Sequence, residues 1–311
     1  MGIQKKPLPS SSPPQSPKPA VPELKWNVIP PRHTMSDLIL APSTEEQLLD
    51  VISYFENREL LFSEWNLAER FSDQDGLAVN LYGPPGTGKT VAAHAIASAL
   101  HLPMICVDYA EIESKYVGET AKNLSALFRT ASEQNALIFF DEADALLSKR
   151  VTNMTSATDV SVNQTRSVLL TLLNQYRGVI LFATNFIQNF DAAFLRRIRY
   201  HVYFPLPDAR LRERLWHMYV PNEMPCRADF HELAEKFEGI SGSDIANAVL
   251  TAAIRTARSG ESFVSQERLE EAIRSTVTVK RENLGEDISV HRRLLSPEEA
   301  DALTKKEKLS L

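Results

Sequence analysis

Short, nearly continuous apolar runs alternate along the chain with longer stretches whose apolar residues recur every three or four positions. The short runs are residues 76–82, 104–108, 137–140, 179–184 and 202–204. Apolar runs of that length without strict alternation read as strands buried on both faces, which is the habit of a parallel sheet. Between them, 89–100, 124–133 and 166–176 have helical spacing; Leu124, Leu127, Phe128 and Ala131 make one stripe. Residues 83–88 read as a tight loop. The polar stretch 148–164 has no period and reads as mobile. After Asp208 the strand runs stop, and 208–220, 229–238, 243–258 and 266–275 all have the helical period. Ser241 and Ser243 offer caps there, and Ser259-Gly260 a stop. The pattern predicts an α/β domain with a parallel five-stranded sheet sandwiched by helices, followed by a small all-helical domain.

Composition changes this picture at the two ends. Nine of the 18 prolines fall in residues 1–31, among Ser10, Ser11, Ser12 and Ser16. Such a segment cannot bury enough apolar surface to offset its ordering entropy, so a disordered tail is expected there. From Lys280 on, seven basic and seven acidic residues suggest a charged extension, with one more helix starting at Pro297. The expected division is a tail at 1–31, an α/β domain at 32–207, a helical domain at 208–278 and an extension at 279–311.

Charge and cysteines exclude several classes. The net charge is −6, and Lys5, Lys6, Lys18, Lys25 and Arg32 against Glu23 leave about −10 for the remainder. A general nucleic-acid surface is therefore not expected. No apolar run approaches a membrane span, and nothing near residue 1 resembles a signal peptide. Cys106 and Cys226 cannot form a disulfide framework and have no zinc-like spacing. Cys106, inside an apolar run, is expected to be a small buried hydrophobe. A cytoplasmic location follows as the expectation.

Two motifs carry chemistry. Gly83-Pro84-Pro85-Gly86-Thr87-Gly88-Lys89-Thr90 lies between a predicted strand and a predicted helix, with Val91 next in the helix. Glycines let backbone N–H groups wrap phosphates at a helix N-terminus, Lys89 would reach the β- and γ-phosphates, and Thr90 would give its hydroxyl to Mg²⁺. Some 50 residues on, the run Leu137-Ile138-Phe139-Phe140 delivers Asp141 and Glu142, followed by Ala143 and Asp144. Asp141 would hold the metal ion and Glu142 would orient and polarise an attacking water. The cofactors these residues call for are ATP and Mg²⁺.

From about Ser36 to Ser275 the chain resembles the AAA+ ATPases, on these two motifs and on Asn185 at the end of the fourth apolar run. The resemblance implies that Asn185 helps to place the lytic water. Ser114-Lys115-Tyr116-Val117-Gly118-Glu119-Thr120 looks like the pore loop of protein-remodelling members, in which Lys115, Tyr116, Val117 and Gly118 would engage a peptide. Asp191-Ala192-Ala193-Phe194-Leu195-Arg196-Arg197 resembles the segment whose arginines reach the nucleotide of a neighbouring subunit; Arg199 is a third candidate, because the family's glycine spacer is missing. Gly239-Ile240-Ser241-Gly242-Ser243-Asp244 is similar to the lid signature, with Ser243 in place of the usual alanine, so Gly242 and Ser243 would approach the nucleotide. Tyr219 and Asp37–Leu40 fall where the family packs adenine.

The resemblance implies a ring, a hexamer, that hydrolyses ATP at each interface and pulls a polypeptide client through its centre, with no nucleic-acid or membrane partner. Two groups share the compact plan. One is the microtubule-severing and vacuolar-sorting ATPases, which share the spacing of Arg196-Arg197 and Pro205-Leu206-Pro207. The other is the bacterial relatives of the pachytene-checkpoint ATPase, which remodel HORMA-domain proteins in antiphage signalling; chain size leans toward these. A nucleotide switch that binds without translocating is the third reading, and a membrane-tethered protease ATPase is disfavoured for want of an HExxH.

Overall fold

The computed structural model describes residues 26–70, 76–108, 119–148, 157–185 and 190–284. Five strands form one sheet in the order β2-β3-β4-β1-β5: β1 (Leu77–Tyr82), β2 (Met104–Val107), β3 (Leu137–Phe140), β4 (Val179–Thr184) and β5 (Tyr200–Tyr203). Every pairing within it is parallel. Side chains alternate across each strand, so both faces are apolar and both are covered. On one face Ile138, Phe140, Ile180 and Phe182 pack against α3 (Glu119–Glu133) and α5 (Ala157–Gln175). On the other, Leu77, Val79, Leu81 and Leu181 pack against α1 (Pro42–Glu56) and α2 (Lys89–Ala99). Two short helices, α4 (Asp144–Leu147) and α6 (Ala192–Leu195), follow β3 and precede β5. The five-stranded parallel sandwich is as the apolar runs imply.

A second core forms after Pro207. α7 (Ala209–Tyr219), α8 (Phe230–Lys236), α9 (Gly242–Ser259) and α10 (Gln266–Leu284) enclose Trp216, Leu233, Ile245, Ala248, Leu269 and Ile273. Asp208, Asp229 and Ser241 cap α7, α8 and α9 by accepting from backbone N–H groups one turn on, and Gly260 ends α9 in a left-handed conformation. The buried Arg212 guanidinium donates to the carbonyls of Pro207 and Ala234 at 2.7 and 2.9 Å, tying α8 to the segment entering this unit.

Several expectations need correction. Residues 26–31 do not belong to a tail. Trp26 is buried in the sheet core, and Ile29 exchanges two 2.9 Å backbone hydrogen bonds with Met104 on β2. Arg32 then donates its N–H to His94 Nδ1 on α2 at 3.2 Å, so 26–32 form a strap around the sheet edge. Residues 157–164 of the polar stretch are helical. The lid contains β6 (Cys226–Arg227) paired with β7 (Val264–Ser265), so it is not wholly helical, and α10 continues past residue 278 to Leu284. Cys106 is exposed at the edge strand beside Thr90, Asp141 and Glu142, not buried. The expected helix from Pro297 lies outside the described residues.

Candidate functional site

The phosphate-loop motif follows the C-terminal end of β1 and runs into α2. Gly83 has φ +145°, and a Cβ there would stand 2.2 Å from the Phe204 carbonyl oxygen. Gly86 has φ +77°, and a Cβ there would stand 2.0 Å from Ser243 Oγ. Only glycine fits either place. Lys89 is buried, and its Nζ donates to the carbonyls of Gly83 and Pro84 at 2.8 and 2.9 Å and to Asn185 Oδ1 at 3.0 Å. Burial pulls its pKa below the usual lysine value, against the opposing pull of Asp141 and Asp144. It has no direct carboxylate partner among the described residues.

The adjacent strand ends supply the carboxylates. Thr90 Oγ1 donates to Asp141 Oδ2 at 2.9 Å, joining the two residues expected to hold Mg²⁺. Asp141 Oδ1 accepts from the Glu142 N–H at 3.0 Å. Glu142 is exposed and sits at φ +49°, a costly conformation for a residue with a side chain. Asp144, not singled out by sequence reading, accepts from the Asn185 N–H at 3.2 Å and so fixes the end of β4. Its place three residues after Asp141, in the same motif, is the signal that could have found it.

The lid closes over these groups. The Ser243 N–H donates to the Gly86 carbonyl at 3.2 Å, and Gly242 lies against the same loop. Ser241 is held by Asp244, whose Oδ2 also accepts from Lys280 Nζ at 2.8 Å. A cavity of about 400 Å³ is lined by Pro85, Lys89, Glu142, Asn185 and Ser243. Beside it, Asp37–Leu40, Val91 and Tyr219 border a narrower space, so the segments expected to pack a base do converge. Thr87 turns inward and donates to the Pro84 carbonyl. The pore-loop residues Lys115, Tyr116, Val117 and Gly118 lie outside the described residues.

Arg196 and Arg197 are not in this cluster. They follow α6 at the opposite end of β1, where the Arg199 N–H donates to the Ala78 carbonyl and Arg197 lines a recess with Gly76 and Leu77. Six strand residues at about 3.3 Å each put roughly 20 Å between the two ends. Arg197 is held by Asn174 Oδ1 and the Ala193 carbonyl, both at 2.9 Å, while Arg196 is exposed. The Arg199 guanidinium lies 5.0 Å over the Tyr54 ring, facing α1 rather than its two neighbours.

The residues present fit a nucleotide and its metal ion. A buried ammonium bonded directly only to carbonyl and amide oxygens, beside a loop in which Gly83, Gly86 and Gly88 carry no Cβ, suits phosphate. A hydroxyl and a carboxylate joined at 2.9 Å suit a hard divalent cation. Fold and site together define a P-loop nucleotide-binding domain with a helical lid.

Comparison with known proteins gives the family. Residues 79–206 match the model of the ATPase family associated with various cellular activities, and residues 227–271 match the AAA+ lid domain. The chain therefore belongs to the AAA ATPases, a family whose cofactor is ATP with Mg²⁺. It is 36% identical over 214 residues to the proteasome-activating nucleotidase of Saccharolobus islandicus, covering 66% of this chain and 54% of the relative. It is 35% identical over 203 residues to the ATP-dependent zinc metalloprotease FtsH 1 of Phytoplasma mali, covering 63% of this chain and 34% of the relative. To FtsH of Corynebacterium glutamicum it is 32% identical over 250 residues, covering 78% of this chain and 28% of the relative. The chain thus spans about half the length, or less, of these relatives. Among the described residues no helix is long and apolar enough to cross a membrane.

Proposed function

We propose that this chain hydrolyses ATP in a hexameric ring whose active sites lie between subunits, and that hydrolysis drives the remodelling of a polypeptide client. The observation that carries the reading is the separation along β1. Lys89, Thr90, Asp141 and Asn185 cluster at one end, and Arg196, exposed, and Arg197, half-buried, stand at the other, about 20 Å away. An arginine pair so placed serves a phosphate only across a subunit boundary.

The geometry supports these roles. Lys89 neutralises phosphate charge from a dry position. Thr90 and Asp141 would hold Mg²⁺, which when bound supplies a compact positive charge against the phosphates. Glu142, projected from a strained backbone, accepts hydrogen bonds from the attacking water and takes its proton. Asn185, fixed by Asp144, orients that water. Arg196 and Arg197 of one subunit offset charge developing in its neighbour's site.

A polypeptide client is supported by relatives named for proteasome activation and proteolysis. A HORMA-domain protein is the client expected from the resemblance, and co-purification with an ATP-locked Glu142→Gln ring identifies or replaces it. Motor and switch separate at Tyr116. In a motor, Tyr116→Ala lowers client remodelling per ATP hydrolysed and Tyr116→Phe keeps it; a switch is indifferent to both.

The shared site is tested by mixing. Rings of Arg197→Ala alone and of Glu142→Gln alone should each be nearly inactive. Freshly mixed subunits should partly recover, because some interfaces then pair an intact Glu142 with an intact neighbouring arginine. No recovery in rings that exchange subunits would overturn the reading.

A further inference from the structure

The lid reaches the phosphate loop through an unbroken chain of hydrogen bonds, and at its far end stands a cation that the proposed reaction does not use. The Ser243 N–H donates to the Gly86 carbonyl at 3.2 Å, and Ser243, Ala246 and Asn247 of α9 wall the cavity that Lys89 and Glu142 line. Ser241 gives both its N–H and its hydroxyl to one oxygen of Asp244, Oδ2, at 2.8 and 2.7 Å. Ser243 Oγ stands 3.1 Å from Ser241 Oγ, whose own proton goes to Asp244, so Ser243 is the donor in that pair. Asp244 Oδ2 takes a third hydrogen bond, from Lys280 Nζ of α10 at 2.8 Å. Lys280 is the one cation paired with Asp244 among the described residues.

Asp244 needs that cation. It is buried, and burial alone would raise its pKa, but the hydrogen bonds from Lys280 and Ser241 outweigh burial and hold it below the usual carboxylate value. Removing one partner of such a pair is destabilising, because a buried charge is left uncompensated. The lid core has no such need of Lys280. Leu269, Ala272 and Ile273 seat the first half of α10 among the buried side chains of the lid, whereas Val277 is half-buried and Val279 exposed. Position 280 is past the main apolar packing, and what joins it to the start of α9 is an ion pair.

We propose that Lys280 is the positioning residue of the lid turn 241–243: by holding the Asp244 carboxylate it keeps Ser243 on Gly86, and so keeps the lid wall of the nucleotide cavity in its binding arrangement. The proposal is independent of the shared-site reading and rests only on the phosphate loop's taking a nucleotide. A site whose competent arrangement is partly populated binds in proportion to that fraction. Bound nucleotide favours the same arrangement, so the deficit shows in affinity and is made good at saturation.

The test uses the full chain with Lys280→Met, Lys280→Arg and Asp244→Asn. It reads Mg-ATP binding by calorimetry, turnover at saturating ATP, and backbone hydrogen exchange of the nucleotide-free protein. Lys280→Met keeps the length of the side chain and loses its charge. Because Lys280 is itself 34% exposed, screening limits the effect, and the ATP Kd should rise about tenfold. Saturated turnover should stay within about threefold of the wild type, since bound ATP reseats the turn. Lys280→Arg, which keeps the charge, should bring the Kd back to within about threefold. In Lys280→Met exchange at 241–245 should quicken about tenfold while 230–236 in α8 is unchanged; a lid that merely loosened would quicken both. If Lys280→Met fails to fold, Asp244→Asn carries the same readings, because the amide oxygen still accepts from Ser241 but forms no ion pair. An unchanged Kd with a lowered melting temperature marks a purely structural ion pair and overturns the proposal. A rise in Kd that Lys280→Arg leaves uncorrected overturns it as well. If the wild-type chain binds no ATP, the nucleotide reading of the site falls, and exchange at 241–245 alone decides the role of Lys280.

Discussion

The two ends of β1 differ in how their charges are settled. At the C-terminal end nearly every polar atom has a partner: Lys89 has three acceptors, Thr90 and Asp141 hold each other, and Asn185 is gripped by Lys89 and Asp144. At the N-terminal end the Arg197 guanidinium donates to an amide and a carbonyl, with no carboxylate against it among the described residues, and Arg196 is exposed. One end is a finished receptor for anions. The other is cationic and, among the described residues, unmatched by a carboxylate. On the proposed reading, a single strand of six residues separates what a chain would do for itself from what it would do for its neighbour.

The largest effect should come from breaking the receptor end. Lys89→Ala is expected to abolish ATP binding, whereas Glu142→Gln should keep binding and lose turnover. In a thermal-shift titration only Glu142→Gln should gain stability from ATP, by about 2.7 kcal/mol at 100-fold excess over Kd. Equal nucleotide affinity in the two variants would remove the distinction between their roles. The next effect sharpens the cationic end. Arg197→Ala should cost about 10³-fold in turnover, while Arg199→Ala, whose guanidinium rests on Tyr54, should cost no more than about tenfold. Steady-state turnover of both variants at saturating ATP decides it, and a larger loss for Arg199 would reassign the pair.

The smallest effect concerns the strap that joins the two ends on the outside. It starts beside β2, passes α2 at His94 and reaches Asp37–Leu40, the segment expected to pack a base. Burial, then the nearby His33 and Arg32, hold the His94 imidazole below its ordinary pKa. The unfolded chain therefore takes up this proton before the folded one does. The strap's contribution is complete above about pH 6.5 and declines as pH falls below it. His94→Asn, which keeps an acceptor near Nδ1 but does not titrate, should flatten part of that slope. Between about pH 7.5 and about pH 5.5 the wild-type melting temperature should fall further than the variant's, by about 4 °C or less. Equal slopes would detach His94 from the strap's stability.

What could be read from the sequence was local. The phosphate loop is eight consecutive residues, and the five strands are largely apolar runs, interrupted by Asn80 in β1 and His201 in β5, so composition within a short window carries both. α1 escaped because 43–50 is rich in Ser, Thr, Glu, Gln and Asp, although Leu48, Val51 and Ile52 keep the helical period. Proline content likewise hid Trp26, buried in the sheet core, and Ile29, paired with residue 104; neither contact is with a neighbour in sequence. β6 and β7 have two residues each, too few to show any period. Asp144 against Asn185, and Asn80 beside His201, are pairings across 41 and 121 positions that only the sheet brings together. Cys106 was misjudged because an apolar run does not reveal that its strand lies at the edge of the sheet.

The three acceptors around Lys89 have a consequence for how the site fills. Its ammonium can turn to an anion only by letting go of the Gly83 and Pro84 carbonyls or of Asn185 Oδ1. Occupation is therefore an exchange of partners and not a simple addition, and measured affinity is the difference between two well-bonded states. The exchange also has a by-product. When Lys89 releases Asn185, the amide oxygen that was engaged becomes available at the moment an anion arrives. On the proposed role of Asn185, the Lys89 bond would act as an interlock, keeping the side chain proposed to orient water engaged until an anion draws Lys89 away.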